Sequence, residues 1–388
     1  MPEFGHTQAH LSHILGLGDG NGFCTVNGPL ATRCASPRFP LQLGSSQNDR
    51  VIDNAMSSEL GARLPRRAFL MATLATATVA VTSCSADSHP HQPDTRRRSW
   101  GAFISTVTAT DQPAFSSIDR LASLAGYKPD FVHLFAAIPD SLPVATLDLI
   151  RGSGATPIVT LEPWNPSKGR DQSSYTLATI AAGQHDSDLS RWGTQLGAWP
   201  HPVLLRFAQE MNGTWYPWSI GTSQNTPYDY RAAWSRMHSI IRDKAPHVQF
   251  VWAPNAITEG TRDFTDCYPG DGVVDYLGLD GYNWGQSPGH QWQSAHKLFS
   301  ESLEALGKLS SNRPTLITEV GCADGTTPNL KAEWITDFFR VIESAPNVLG
   351  FIWFQMDKER DWRFNSSPAS TESFRSGLAR WMSSGPPG

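Results

Sequence analysis

Pro202-Val-Leu-Leu-Arg-Phe-Ala-Gln-Glu-Met-Asn-Gly-Thr-Trp-Tyr-Pro-Trp218 begins as a short strand, apolar but for Arg206, and passes within a few residues into a loop of amide, carboxyl and indole side chains. A strand that places its polar groups just beyond its C-terminal end fits a parallel barrel, whose site is built from the loops following the strands. Apolar, β-rich runs of the same kind occur at 100–105, 130–136, 156–161, 248–253, 274–280, 314–319 and 348–354. With 202–207 they make eight candidate strands. Amphipathic stretches at 114–126, 143–152, 187–199, 228–244, 294–309 and 330–344 read as helices between them, several stopped by Gly or Pro. No Gly-rich phosphate loop follows the first strand, and polar residues close many different strands. This favours an α/β fold of the (β/α)8 TIM-barrel type, with one catalytic domain over 99–384, over an open doubly wound sheet.

The chain has 388 residues, 39% of them hydrophobic and 17% charged, enough for a large core. Its net charge of −5 argues against a nucleic-acid partner. Fourteen Trp and 28 Pro stand out, and so many Trp suit large cores or carbohydrate-facing surfaces. Residues 1–55 lack hydrophobic periodicity and are expected to be a disordered or over-long leader, Met56 being the more natural start.

Arg66-Arg67-Ala-Phe-Leu70 then opens an apolar run that ends in Val81-Thr-Ser-Cys84. That order is the layout of a twin-arginine export signal with a lipobox over 56–84, and the run is too short to span a bilayer. Lipid attachment at Cys84 is therefore expected, tethering an exported protein to the outer face of a bacterial cytoplasmic membrane, or else cleavage and secretion. Residues 85–98 form the linker, where His89 and His91 read as a solvated tether. Cys24 and Cys34 fall in the leader. Cys267 and Cys322 then remain as the mature thiols, either paired or separately buried.

Glu210 follows the fourth strand and Glu319 closes the seventh in Leu316-Ile-Thr-Glu-Val-Gly321, so a barrel brings both to one face. Paired carboxyl groups suit glycoside cleavage, in which retaining enzymes set an acid/base and a nucleophile about 5–5.5 Å apart. Indoles at Trp215 and Trp218 are expected to desolvate Glu210, keep it protonated near neutral pH and stack their faces on the pyranose rings of the substrate. Arg206 and the Tyr282 hydroxyl are candidate donors to Glu319. Gln209 and Asn212 are candidates to bind sugar hydroxyls or orient Glu210. Trp164, Trp284, Trp353 and Trp362 are candidate walls of sugar subsites. Glu162 and Asp280 rank below the catalytic pair. No metal or cofactor is required, and a monomer is expected.

Over residues 99–384 these motifs resemble glycoside hydrolase family 26, typified by endo-β-1,4-mannanases. Glu210-Met-Asn-Gly213 with Trp215 and Trp218 is similar to the family's acid/base motif, and Thr318-Glu-Val-Gly321 to its nucleophile segment. Gly278-Leu-Asp-Gly-Tyr-Asn283 resembles the segment whose Tyr bonds the nucleophile. The resemblance implies a retaining endo-acting hydrolase with a polysaccharide or oligosaccharide substrate, β-1,4-mannan first, and mixed-linkage β-glucan or β-1,3-xylan as alternatives. Trimming of self-made exopolysaccharide and non-catalytic glycan binding are the rival readings. One departure stands out: many family mannanases carry His just before the acid/base, where this chain has Gln209.

Overall fold

A computed structural model describes residues 97–105, 114–169 and 171–385. The leader, the export signal with Cys84 and the linker up to residue 96 lie outside the described residues.

Eight parallel strands close into a barrel in sequence order: β1 (Ser99–Phe103), β2 (Phe131–Ala137), β3 (Thr156–Glu162), β4 (Leu204–Phe207), β5 (Gln249–Trp252), β6 (Tyr276–Asn283), β7 (Thr315–Cys322) and β8 (Val348–Phe354). Helices α1 (Ala114–Ala125) and α2 (Val144–Gly152) follow the first two strands. Two helices, α3 (Leu177–Ala181) and α4 (Asp186–Ala198), follow β3. Next come α5 (Pro227–Lys244), α6 (Ala295–Leu309), α7 (Leu330–Ser344) and α8 (Pro368–Ser383). The β5–β6 connection carries only a 3-10 turn, Thr265–Cys267. All eight expected strands are present. α3 and α8 are additions to the helices expected from sequence.

α8 is rich in Ser and contains Gly377, so intrinsic propensity hides it. It forms because Ser367 and Ser370 make a reciprocal N-terminal cap, Pro368 occupies the first turn, and Phe374, Leu378 and Trp381 are buried. A Cβ on Gly377 would run into the Phe339 ring of α7, so the two helices meet at a point where only hydrogen fits.

Alternation along the strands divides the interior. Phe131, Ile158, Leu204, Val251, Tyr276, Leu316 and Ile352 form one apolar layer inside the barrel. Their neighbours, among them Val159, Leu205, Leu277 and Phe351, face outward into the main core beneath the helices. Two residues further along, inward positions carry His133, Thr160, Arg206 and Thr318, so the lumen turns polar toward the C-terminal ends of the strands.

Candidate active site

β4 ends in unusual backbone. Ala208 and Glu210 both adopt left-handed φ, 49° and 52°, which costs of order 1 kcal/mol or more per non-glycine residue and is held only where surroundings impose it. Three bonds impose it here: Glu210 N–H donates to Ala253 O at 2.8 Å, Tyr230 Oη to Ala208 O at 3.2 Å, and Trp218 Nε1 to Gln209 O at 2.8 Å. Gly213 gives the Trp215 ring room to lie against the backbone, since a Cβ there would sit 2.5 Å from the indole. Trp215 Nε1 thereby reaches Glu210 Oε2 at 2.7 Å.

The other oxygen of Glu210 accepts from Asn255 Nδ2 at 2.7 Å. Asn255 was not singled out in the sequence, although it stands three residues beyond β5 on the loop face of the barrel. Asn212 fixes it from both sides, accepting from Asn255 N–H and donating to Asn255 O, each at 2.8 Å. The Asn212 amide is thus spent on backbone and orients Glu210 through Asn255. Burial pushes the Glu210 carboxyl from 4.5 up to about 7, helped by the charge of Glu319 and opposed by the Asn255 and Trp215 bonds.

Glu319 owes its direction to an irregularity in β7. Pairing with β6 runs Leu279 to Ile317 and then Asp280 to Glu319, and pairing with β8 also slips between Ile317 and Val320. The extra residue lets Thr318 and Glu319, consecutive in sequence, both reach polar partners inside the mouth. Glu319 Oε1 accepts from Arg206 Nη2 and Oε2 from the Tyr282 hydroxyl, both in short hydrogen bonds, which realises the two donors expected from sequence. Arg206 is completely buried and donates further to Asp280 Oδ2 and Thr160 Oγ1, each at 2.7 Å. Burial opposes its charge, but Asp280 and Glu319 outweigh that and raise its pKa. Arg206 therefore holds the nucleophile candidate, with no exposed surface for a sugar.

Burial also lowers the pKa of His133 well below the usual value, with Arg206 adding to the effect. As a neutral ring its Nε2 accepts from Thr160 Oγ1 at 2.7 Å and lies 3.3 Å from Arg206 Nη2. Asp280 is pushed well up by burial, against the attraction of Arg206. Glu162 likewise rises to about 7 by burial, against bonds from Gln209 Nε2 (3.1 Å) and Trp164 Nε1 (3.0 Å). Both acids belong to the site more closely than their lower ranking implied. Among the described residues no three His, Cys, Asp or Glu side chains group to hold a metal ion.

The indoles divide. Trp215 and Trp284 are half-buried at the mouth, Trp284 stacked on His290 with centroids 4.9 Å apart. Trp164 is almost buried and turns its N–H to Glu162. Three expectations need correction. Trp353 alternates outward on β8 and packs among Phe338, Phe364 and Phe374, so it is core and not a subsite floor. Trp218 has no exposed surface, being stacked on Tyr216 at 4.2 Å and tied to Gln209 O, and it braces the loop. Trp362 is buried edge-on against Tyr282 and Trp284, 5.0 and 4.9 Å between centroids, and supports those rings from behind. Cys267 and Cys322 are separate buried thiols, each pushed up to about 12 by burial.

A sequence model of Glycosyl hydrolase family 26 matches residues 181–339, a span that includes both Glu210 and Glu319. Endoglucanase H of Acetivibrio thermocellus is 35% identical over 287 residues, which is 72% of this chain but 30% of that protein. The chain therefore spans less than a third of that relative. Mannan endo-1,4-beta-mannosidase of Bacillus subtilis is 34% identical over 129 residues, 31% of this chain and 30% of its own length. Among solved structures, the catalytic domain of the endo-beta-1,4-mannanase from Bacillus sp. JAMB-750 superposes with a TM-score of 0.56 at 18% identity, covering 73% of this chain and 86% of that one. That superposition bears on the fold.

Proposed function

We propose that the chain, which matches the sequence model of glycosyl hydrolase family 26 over residues 181–339, is a member of that family and a retaining, endo-acting β-glycanase working by double displacement. The observation that carries this is the pair of unlike carboxyl groups. Glu210 is held protonated to about pH 7 by burial, and Glu319 is aimed by Arg206 and Tyr282. In the first step Glu319 attacks the anomeric carbon while Glu210 passes its proton to the departing glycosidic oxygen. That leaves a covalent glycosyl ester on Glu319 and a carboxylate at Glu210. In the second step Glu210 takes a proton from water, the hydroxide oxygen joins the anomeric carbon, and the ester bond to Glu319 breaks.

A glucose-based β-glycan is the first substrate to try, because a relative that matches 72% of this chain is named an endoglucanase and because Gln209 stands where many mannanases of the resembled family have His. β-1,4-Mannan is the second, supported by the matched mannosidase. Reducing-sugar release from mixed-linkage β-glucan, β-1,4-mannan and β-1,3-xylan separates them. Glu319→Ala is expected to abolish hydrolysis of an activated aryl β-glycoside, and azide to restore turnover with an inverted glycosyl azide as product. Near-normal turnover by Glu319→Ala would remove the nucleophile assignment. Export, with lipid attachment at Cys84, is part of the same proposal and rests on the order of Arg66-Arg67, the apolar run and the lipobox.

A further inference from the structure

Two polar atoms of the site, His133 Nδ1 and the Gln209 carbonyl oxygen, lack a partner among the described residues, and the second lies beside the acid/base candidate. Gln209 is fully buried and donates through Nε2 to Glu162, yet its carbonyl oxygen meets no donor among the described residues. Glu162 faces it, 2% exposed, and both of its oxygens receive only neutral N–H groups, from Gln209 and Trp164. A buried acceptor without a donor is destabilising, and an ionised carboxylate buried without a cation is more so. A single proton shared between these two side chains removes both defects.

Resting on the reading of this site as a glycosidase centre, we infer that Glu162 is a neutral carboxylic acid in the working enzyme. Its proton is donated to the carbonyl oxygen of Gln209, which closes a two-point acid–amide pair beside the acid/base Glu210. Glu162 is thus a positioning residue that acts through residue 209.

The charge balance agrees. Four carboxyl groups, Glu162, Glu210, Asp280 and Glu319, surround one guanidinium, Arg206. Arg206 directs its hydrogen bonds to Asp280, Glu319 and Thr160, so none reaches Glu162. The charged and titratable groups facing Glu162 are Arg206 from β4, Glu319 from β7 and the Tyr216 hydroxyl from the β4–α5 loop. Burial holds the Glu162 proton up to about pH 7, the charge of Glu319 adds to this, and Arg206 opposes it. Above that range the pair loses its second contact and a new negative charge faces Glu319. Two carboxyl protons, from Glu162 and Glu210, are then lost on the alkaline side of the activity profile.

The test is the pH dependence of kcat/KM on an unactivated β-linked oligosaccharide, whose departing sugar needs the Glu210 proton. The wild-type logarithmic slope on the alkaline side is expected to approach about −2, and that of Glu162→Gln, whose amide pairs with Gln209 without titrating, about −1. Infrared difference spectra on the acid side of neutrality should show protonated-carboxyl absorption that Glu162→Gln reduces, the remainder belonging to Glu210. A wild-type slope of about −1, or absorption that survives Glu162→Gln intact, overturns the inference. Tyr216 is the rival donor to Gln209. If Tyr216→Phe rather than Glu162→Gln lowers the slope, the pair is refuted. Should Glu162→Gln fail to fold, the wild-type spectrum decides: absorption lost entirely in Glu210→Gln leaves no proton for Glu162. Active Glu319→Ala refutes the underlying glycosidase reading. Inactive Glu319→Ala with an unchanged Glu162→Gln profile refutes the pair alone.

Discussion

Asn255 holds Glu210, the proposed acid/base residue, without belonging to any motif. Its amide N–H bonds the charged form of Glu210 and so opposes the rise in pKa that burial imposes. Asn255→Ala removes a donor to the carboxylate, so the Glu210 pKa moves further up and the alkaline limb of kcat/KM moves to higher pH. At the same time the freed carboxyl loses its aim, and kcat is expected to drop about 100-fold. A pH–rate profile reads both effects, and an alkaline limb displaced to lower pH would contradict the assignment. The two carboxyl groups of the proposed pair stood out in the sequence because each lies at the end of an apolar strand, Glu210 with Trp215 and Trp218 beside it. Asn255 did not, because its importance lies in a bond across two loops. The indoles show the limit from the other side: composition marks a Trp as notable but not which way it points, and only the parity of β8, with Ile352 inside the barrel, turns Trp353 outward.

At the scale of elements, strand existence followed from apolar runs bounded by loops, and all eight were readable. The slip in β7 was not, since nothing in Ile317-Thr-Glu-Val320 distinguishes a bulged strand from a regular one. Regular alternation would send Thr318 and Glu319 to opposite faces. α8 was equally hidden, because Ser-rich sequence with an internal Gly is helical here through packing rather than propensity. Gly377→Ala tests that packing: the added methyl meets the Phe339 ring, and the expected loss is about 1–3 kcal/mol of stability. Thermal denaturation should show a lowered Tm. Because the α7–α8 contact lies outside the catalytic machinery, the kcat of the folded fraction should stay near that of the unaltered protein. A Tm equal to that of the unaltered protein would mean that the helices part without cost.

At the scale of the whole chain, the barrel is one unit and the export proposal concerns what precedes it. Cys84→Ser is expected to shift the expressed protein from the membrane fraction to the soluble exported fraction, with glycanase activity following the protein; membrane retention by this variant would refute lipid attachment at that residue. The barrel itself closes by pairing Ser99–Phe103 with Gly350–Phe354, and Ser99 bonds Leu349 across 250 positions of sequence. Trp381 Nε1 then donates to Ser99 O, and Arg98 Nη1 to Ser384 Oγ, so the last helix seals the first strand. At about 5–20 residues added per second, those 250 positions correspond to roughly 12–50 s of synthesis. For that interval the edge of β1 that will meet β8 has no native partner. The translation rate between codons 99 and 349, as much as any stabilising contact, therefore sets how long the nascent protein is open to mispairing.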